Sequence, residues 1–387
     1  MENRYDIFPP LNEEQLLMLK TVARIVEKVI APRAAEVDER AEFPWDVQKV
    51  LADTGLLGLP IAREYEGLGE GVLMMALVLE ELTRGCFTSG MIVGTTAISV
   101  YPMDLLASEE QKRKYYPGMA TGEITPCVAY TEPESGSDLA SLRTTALRQG
   151  DHWVINGCKR WITHAPVADL IILFARTDPS SKNHRGISTF VIEKKTKGIS
   201  VGRYENKIGA RGSVTSDLIF EDAKVPLDCL MGEEGKGFVT AMKSLEKERI
   251  IAGSLALGSS RGAIDYATQY AGERKQFGQR IGEFQGLQFL LADMRTRYEA
   301  SRALLILAAQ KTDGGSSDRT LYASMAKLFA SEVAMEVTTQ AVQVLGAYGI
   351  SREYPVERMM RDAKITQIFA GTSQIQQWII GRSLFGL

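Results

Sequence analysis

Histidine and cysteine side chains are the first candidates for chemistry in this sequence, and their spacing argues against two kinds of site. The three histidines, His152, His164 and His184, show no metal-ligand spacing and no serine or cysteine partner motif. The four cysteines stand far apart with no C-x-x-C pair, so we expect neither a bound metal nor a disulfide framework. We interpret them as small buried hydrophobes: Cys86, Cys127, Cys158 and Cys229.

Two carboxylates lie close together in the run Ser244-Leu-Glu-Lys-Glu-Arg-Ile250. A carboxylate can serve as a general base. Glu246 and Glu248 are two positions apart, which on a helix is a rotation of about 200°, so only one of them can face a given site. The ordinary fate of a glutamate in such a charged run is a solvated helix surface.

Composition and charge exclude several kinds of partner. Lys and Arg number 45 against 48 Asp and Glu, and no basic block of the kind that follows a phosphate backbone is present, so we expect no nucleic acid. The longest apolar run, Val72 to Leu79, is too short to span a bilayer, and the first residues lack an apolar signal core. We therefore expect a cytoplasmic protein with no membrane contact.

Helical periodicity fills the first part of the chain. Asn12 with Gln15 predicts a capped helix, and Pro32 predicts its end. Pro44 opens a second helix that Gly55 closes, and Ser108-Glu-Glu-Gln111 predicts the start of another. Residues 1–122 are therefore predicted to form a helical domain.

The period then changes to two between residues 123 and 232, which predicts a β domain. Asn156-Gly157 lies between alternating runs and predicts a two-residue hairpin turn. Helical periodicity returns over residues 233–387, with breaks at Gly314-Gly315 and near Gly346. No phosphate-binding loop and no G-x-G-x-x-G between a strand and a helix are present, so a nucleotide cofactor needs a different kind of site.

Motifs of the β segment and of the last helices resemble those of one enzyme family. Tyr130-Thr-Glu-Pro-Glu-Ser-Gly-Ser-Asp138 and Asn156-Gly-Cys-Lys-Arg-Trp-Ile-Thr163 resemble the flavin-binding strands of the acyl-CoA dehydrogenases. Other motifs of that family follow in order: Glu273-Arg-Lys-Gln-Phe-Gly-Gln279, Phe284-Gln285, Gln343-Val-Leu-Gly346, Arg361-Asp-Ala-Lys364 and Gly371-Thr-Ser-Gln-Ile-Gln376. The resemblance covers nearly the whole chain. It implies an α+β protein with an N-terminal helical domain, a middle β-barrel-like domain and a C-terminal domain like a four-helix bundle.

The same resemblance implies FAD as cofactor. Thr131 and Thr163 are expected to contact the flavin ring system, Trp161 to pack against it, and Ser137 to lie near the pyrophosphate or the CoA chain. Hydrogen bonds to the polar edge of the ring and an aromatic wall on one face suit a flavin, although threonine and tryptophan are also ordinary strand and core residues. Further FAD contacts are implied at Val128, Tyr130, Arg274, Phe277, Gln285, Gln343, Gly346, Thr372 and Gln374.

The catalytic base departs from the commonest pattern of the family. Desaturation of a thioester removes a proton from Cα and a hydride from Cβ, so a carboxylate must face Cα while the flavin N5 faces Cβ. Many members carry that glutamate just before Gly-Thr-Ser, where this chain has Ala370, and a methyl group cannot take a proton. Glu248 falls where the isovaleryl-CoA-like and long-chain-like branch places its base. The backbone N–H of Ala370 is still expected to hold the thioester oxygen together with a flavin hydroxyl.

The resemblance also implies substrate and partners. Contacts with acyl-CoA are expected from Glu246, Arg249, Ser137, Phe369 and Gly371. We expect a branched, cyclic or aryl-substituted acyl group at least as readily as a straight chain, and electron-transferring flavoprotein as the acceptor. Because family members share FAD between subunits, a homotetramer built as a dimer of dimers is expected. Three alternatives stay open: an acyl group on a carrier protein, the enoyl-CoA reductase direction, and a catalytically silent acyl-CoA-binding protein.

Overall fold

Helices, then strands, then helices follow one another along the chain. The structure, a computed structural model, describes residue 7, residues 10–181 and residues 184–386. The order of elements confirms the α+β class predicted from the change of period. Nowhere in the described ranges is a helix long and apolar enough to cross a membrane.

The described chain divides into two compact units. The first unit combines the segment that ends at Glu39, Gly71–Gly90 and the segment from Arg249 onward. The second unit combines Arg40–Glu70 and Met91–Glu248. The domain boundaries after residues 122 and 232 stay predictions.

The N-terminal helices begin where the capping residues predict. Asn12 accepts the backbone N–H of Gln15 at 2.8 Å, and the Gln15 side chain accepts the N–H of Asn12. Ser108 and Gln111 form the same reciprocal pair. These helices are α1 (Glu13–Ile25), α2 (Ala31–Arg40), α3 (Trp45–Asp53), α4 (Val72–Gly85), α5 (Phe87–Leu106) and α6 (Glu109–Thr121).

The prediction that Pro32 ends the first helix is wrong. A π-helical turn, Val26–Ile30, follows α1 directly, and α2 continues to Arg40 with Pro32 in its first turn. In this turn the N–H of Ala31 donates to the carbonyl of Val26, five residues back. The wider turn removes the carbonyl that a proline ring would meet in a regular α-helix, so the chain stays helical.

An eight-stranded sheet forms the middle of the chain. The strands are β1 (Pro126–Ala129), β2 (Thr145–Gln149), β3 (His152–Thr163), β4 (Leu170–Arg176), β5 (Ile187–Glu193), β6 (Ile199–Val201), β7 (Thr215–Pro226) and β8 (Leu230–Met231). Their order is β6-β7-β3-β2-β4-β5-β8, and β1 pairs parallel to β4. Every residue of β4 is buried, with Ile171 and Leu173 in one core cluster and Ile172 and Phe174 in the other. Because side chains alternate along a strand, both faces of the sheet are covered at β4.

The prediction of a hairpin turn at Asn156-Gly157 is wrong. These residues lie inside β3, and the turn is Gly150-Asp151, which joins β2 to β3. Gly157 has φ 145°, and a Cβ there would lie 2.5 Å from the hydroxyl of Thr144. The glycine therefore allows two backbone segments to approach closely at a β-bulge. The Asn156 side chain stabilises the bulge through hydrogen bonds with Asp222.

Helices return after the sheet and pack through small residues. They are α7 (Gly237–Glu273), α8 (Gln285–Asp313), α9 (Arg319–Leu345), α10 (Pro355–Ala363) and α11 (Ser373–Leu384). A short ribbon, β9 (Lys275–Gln276) with β10 (Gln279–Arg280), joins α7 to α8. The core between these helices contains many alanines, which include Ala263, Ala267, Ala326, Ala330 and Ala334. Small side chains let helix backbones approach closely, so long helices with weak amphipathic patterns still pack into one core.

Candidate active site

A buried ion pair fixes the loop that follows β1. The Glu132 carboxylate accepts the backbone N–H of Thr144 at 2.9 Å and the ammonium of Lys159 at 2.8 Å. Lys159 also donates to the carbonyl of Tyr130 at 3.0 Å. Burial alone would raise the pKa of Glu132, but Lys159 and the backbone donors outweigh burial and lower it. Burial lowers the pKa of Lys159 to about 8, with Glu132 opposing that change.

The end of β3 presents an exposed tryptophan beside this loop. The N–H of Arg160 donates to the carbonyl of Thr131 at 2.8 Å, which brings Thr131 next to Trp161. Trp161 has φ 62°, a left-handed conformation that departs from the regular β3 ladder, and 51% of its side chain is exposed. Thr163, two residues after Trp161 on the same strand, is half-buried. This arrangement offers two hydroxyls and an open indole face on one stretch of surface.

Glu248 is buried and hydrogen-bonded rather than solvated. It is 5% exposed, and its Oε1 accepts the hydroxyl of Tyr130 at 3.0 Å. Burial, and then the charge of Glu248, holds the pKa of Tyr130 well above its ordinary value, so the phenol remains a donor. Glu246, on another side of α7, is half-buried. Of the two carboxylates, Glu248 is the one that the fold takes out of water.

Ala370 and Gly371 form a second candidate feature, a turn with left-handed backbone before α11. Their φ angles are 52° and 87°. Lys327 donates to the carbonyl of Gly371 at 2.7 Å, and Gln376 donates to the carbonyls of Ala370 and Gly371 at 3.1 and 3.0 Å. Burial lowers the pKa of Lys327 to about 7. Because both carbonyls are held, the peptide N–H groups of this turn have fixed directions.

The Gly371 turn leads into the N-terminus of α11. Thr372 is the N-cap, and its hydroxyl accepts the N–H of Ile375 at 3.3 Å. Gln374 is exposed in the first turn of the helix, and Phe369 is half-buried before the turn. A helix N-terminus favours anionic groups, so Thr372 and Gln374 are suitably placed for a phosphate-bearing ligand.

The β9–β10 ribbon carries another group of the predicted FAD residues. Phe277 lies at its turn with φ 52° and is 93% exposed. The Arg274 guanidinium lies 5.3 Å from the ring centre of Tyr348. Gln285, Gln343 and Gly346 are exposed on the following helices and loop. The exposed Tyr348 ring beside the Arg274 guanidinium is a suitable surface for the adenylate part of FAD, with other residues holding the rest of the cofactor.

The predicted site residues therefore fall into one group in each unit. The second unit holds Val128, Tyr130, Thr131, Ser137, Trp161, Thr163, Glu246 and Glu248. The first unit holds Arg249, Arg274, Phe277, Gln285, Gln343, Gly346, Phe369, Ala370, Gly371, Thr372 and Gln374. Within the second unit, Tyr130 and Glu248 are in direct contact, and Ser137 is exposed on the loop beyond Glu132. Arg249 is buried on α7.

Two buried lysines near these groups were missed from the sequence. Lys159 lies on β3 and Lys327 lies on α9 among alanines, and both side chains are fully buried. A sequence signal exists for each, because a lysine at an inward position of a strand or an apolar helix must find a partner.

Thiols and metal ligands contribute no separate site. All four cysteines are free, with Cys86 and Cys127 buried as predicted. The prediction is wrong for Cys158 and Cys229, which are only half-buried. Cys158 lies within β3, and Cys229 directly precedes β8. In the ranges that the structure describes, no group of three or more His, Cys, Asp and Glu side chains is arranged to hold a metal ion.

Comparison with known proteins supplies the class. Family models match the chain in three parts, described as the N-terminal, middle and C-terminal domains of acyl-CoA dehydrogenase, over residues 12–123, 127–223 and 235–385. A short-chain-specific acyl-CoA dehydrogenase of Clostridium acetobutylicum is 44% identical over 97% of this chain and 99% of its own. Cyclohex-1-ene-1-carbonyl-CoA dehydrogenase of Geobacter metallireducens is 45% identical over 97% of this chain and 98% of its own.

A solved structure shares the fold almost completely. The chain comes from work described as "Electron transferring flavoprotein of Acidaminococcus fermentans: Towards a mechanism of flavin-based electron bifurcation". It is 40% identical, covers 98% of this chain and 99% of its own length, and superposes with a TM-score of 0.95. The fold is thus that of an oxidoreductase of the flavoprotein class. The chain belongs to the acyl-CoA dehydrogenase family, whose members are FAD-dependent.

The residues present fit FAD. An indole that is half exposed on a strained stretch of β3 is a surface that a flat ring can occupy. Thr131 and Thr163 add hydrogen-bonding groups beside it, and Arg274 adds a cation for a pyrophosphate. FAD is accordingly the cofactor of this chain.

Proposed function

We propose that this chain desaturates an acyl-CoA thioester between Cα and Cβ and that Glu248 removes the Cα proton. The observation that carries the proposal is the state of Glu248, a buried carboxylate held by a phenol, on a chain whose other candidate position is Ala370. Burial of a carboxylate is energetically costly, and such buried acidic groups are found most often at functional sites, where proton abstraction is one of their roles.

The chain's own residues then have separate tasks. Bound FAD supplies the two-electron acceptor for the reaction. Glu248 accepts the Cα proton, which needs a carboxylate within hydrogen-bond reach of that carbon. The N–H of Ala370 donates to the thioester oxygen, and Lys327 with Gln376 holds the turn that directs this N–H. Donation to that oxygen stabilises the enolate-like transition state and acidifies Cα.

For the substrate we propose a short or ring-bearing acyl group on CoA. The names of two relatives support this range, since one is specific for short chains and the other acts on cyclohex-1-ene-1-carbonyl-CoA. Glu246, Arg249, Ser137, Phe369 and Gly371 are the proposed substrate contacts. Electron-transferring flavoprotein is the proposed acceptor, supported by the Acidaminococcus chain of nearly identical fold.

Replacement of the base tests the proposal. Glu248→Gln keeps size and polarity but removes basicity, so FAD content and acyl-CoA affinity should stay near those of the parent. Flavin reduction under single-turnover conditions should slow by about two to four orders of magnitude, the usual contribution of a positioned general base. Rapid-mixing absorbance of the flavin measures this rate directly.

Glu246→Gln is the matched control, because Glu246 lies two residues away on the same helix and faces another side. We expect it to raise KM and to leave the reduction rate at saturating substrate nearly unchanged. Parental flavin reduction by Glu248→Gln would refute the role of Glu248. A dye-reduction assay with a panel of acyl-CoAs separates this enzyme from a catalytically silent acyl-CoA-binding protein, because the silent protein would bind without reducing dye.

A further inference from the structure

Tyr130 makes a contact with the proposed base that no flavin or substrate role requires. Its backbone lies in the loop expected to hold FAD, but its hydroxyl points to Glu248 and donates to Oε1 at 3.0 Å. Both residues belong to the same compact unit. A phenol that donates to an ionised carboxylate makes a charge-assisted hydrogen bond, a class of bond that is stronger than a neutral one.

Two contacts hold Tyr130 in place. Lys159, itself fixed by Glu132, donates to its carbonyl at 3.0 Å. Its ring stacks on Phe174 of the fully buried strand β4, with centroids 4.4 Å apart and planes at 29°. With its backbone and ring held, Tyr130 keeps its hydroxyl beside Glu248, where it orients the carboxylate. The hydroxyl position is therefore set by the sheet, not by α7, which carries Glu248.

We infer that Tyr130 is a positioning residue for proton abstraction and that it selects the rotamer in which the Glu248 carboxylate serves as base. The inference rests on the proposed function of Glu248. A glutamate side chain has three rotatable bonds, and holding it in one arrangement avoids an ordering cost during the reaction. The same bond gives the buried carboxylate a donor in place of water, which favours its ionised form.

The bond does not make Glu248 a stronger base. A donor to the charged form favours that form, so the phenol opposes protonation of the carboxylate. The bond instead improves the orientation of the Glu248 carboxylate, and this effect is largest in the step that transfers the Cα proton. Loss of the hydroxyl should therefore lower the rate of Cα-proton abstraction and leave substrate affinity unchanged.

Tyr130→Phe in the FAD-loaded enzyme tests the inference. We expect KM within about twofold of the parent and single-turnover flavin reduction slower by about ten- to a hundredfold, the effect of losing one hydrogen bond to a charged group. Exchange of Cα hydrogen with D2O in an acyl-CoA that lacks a Cβ hydrogen should slow by a similar factor. That exchange reports proton abstraction alone, since no electron transfer can follow it.

Tyr116→Phe is the matched control. The Tyr116 hydroxyl donates to the Asp104 carboxylate at 2.8 Å in the same unit, so the variant also loses a bond from a phenol to a carboxylate. It should reduce its flavin at the parental rate per bound FAD. Glu248→Asp withdraws the carboxylate from the phenol and gives a second test. Adding Tyr130→Phe to Glu248→Asp should slow flavin reduction far less than the same change does in the parent, because the bond is already lost.

The outcomes distinguish the positioning role of Tyr130 from the role of Glu248 as the base. Normal reduction by Tyr130→Phe with an inactive Glu248→Gln overturns the positioning role and leaves the base in place. A raised KM with unchanged reduction rate also overturns it, since Tyr130 would then act on substrate binding. Normal reduction by Glu248→Gln overturns the proposed function itself.

Discussion

Backbone strain coincides with candidate site residues. Trp161, Phe277 and Ala370 all have positive φ without being glycine, at 62°, 52° and 52°. Such conformations cost of order 1 to 2 kcal/mol each and persist where the surrounding structure enforces them. At Ala370 the enforcing contacts are visible, because Lys327 and Gln376 hold the adjoining carbonyls.

His164, next to Thr163, gives a pH prediction at the residue scale. Burial, and then the charge of nearby Lys207, lowers its pKa to about 3. Since the unfolded chain titrates near 6.5, it binds a proton between these values that the folded chain does not. Stability therefore falls as the pH drops below 6.5, by roughly 1 to 1.5 kcal/mol between pH 7.5 and 5.5 from this group alone.

His164→Gln should remove that part of the pH dependence. Denaturant unfolding at pH 7.5 and 5.5 would show a smaller loss of stability for the variant than for the parent, whatever its absolute stability. His152→Gln is the control, because His152 is half-buried beside the exposed Asp151. An identical pH dependence in His164→Gln and the parent would contradict the buried, neutral state of this ring.

At the scale of elements, one carboxylate at the end of α8 caps another helix. Asp313 accepts the backbone N–H groups of Val72 at 2.7 Å and Leu73 at 2.9 Å, at the start of α4. Gly71 precedes them, and a Cβ at that position would lie 2.8 Å from the carboxylate. An acidic group at a helix N-terminus satisfies orphan donors and interacts favourably with the helix dipole.

Asp313→Ala should loosen the first turn of α4. A lost cap costs about 1 kcal/mol, which corresponds to roughly fivefold faster amide exchange where the turn opens locally. Hydrogen exchange read by mass spectrometry on peptides from Gly71 to Leu79 measures it. Asp53→Ala removes an exposed carboxylate that pairs with Lys49 on α3 and should leave this exchange unchanged. Unaltered exchange in Asp313→Ala would show that the cap contributes nothing.

At the scale of the whole molecule, the β9–β10 ribbon is the candidate contact with a second copy of the chain. A phenylalanine that is 93% exposed at the turn of a ribbon is unusual on a surface meant for water. The family resemblance implies that Arg274 and Phe277 reach FAD held mainly by a neighbouring subunit. A homotetramer built as a dimer of dimers remains the prediction that follows.

Arg274→Ala tests this shared cofactor site. We expect FAD affinity to fall by about ten- to a hundredfold because a charge-assisted contact with the pyrophosphate is lost, while the ring site around Trp161 stays intact. FAD retained per chain after gel filtration, with the mass from light scattering, measures both effects. Lys275→Ala, an exposed neighbour on β9, should retain FAD like the parent. A stable monomer with full FAD would contradict the shared site.

The sequence by itself determined the order of helical and β segments, the capped helix starts and the family, because these depend on local periodicity and motif spacing. It misplaced the hairpin at Asn156-Gly157 and the helix end at Pro32. In both cases a non-local or irregular feature, the approach of Thr144 or a π-turn, outweighed local preference.

Only the tertiary structure decided what surrounds the candidate base. In sequence, Glu248 belongs to a charged run typical of a solvated helix face. Its burial and its bond to Tyr130 arise because the fold brings Tyr130, 118 positions earlier in the chain, next to it. The same holds for Lys159 and Lys327, whose partners lie 27 and 44 positions away. Local patterns carry no information on such distant pairings, since burial and partner choice are set by packing of the whole unit.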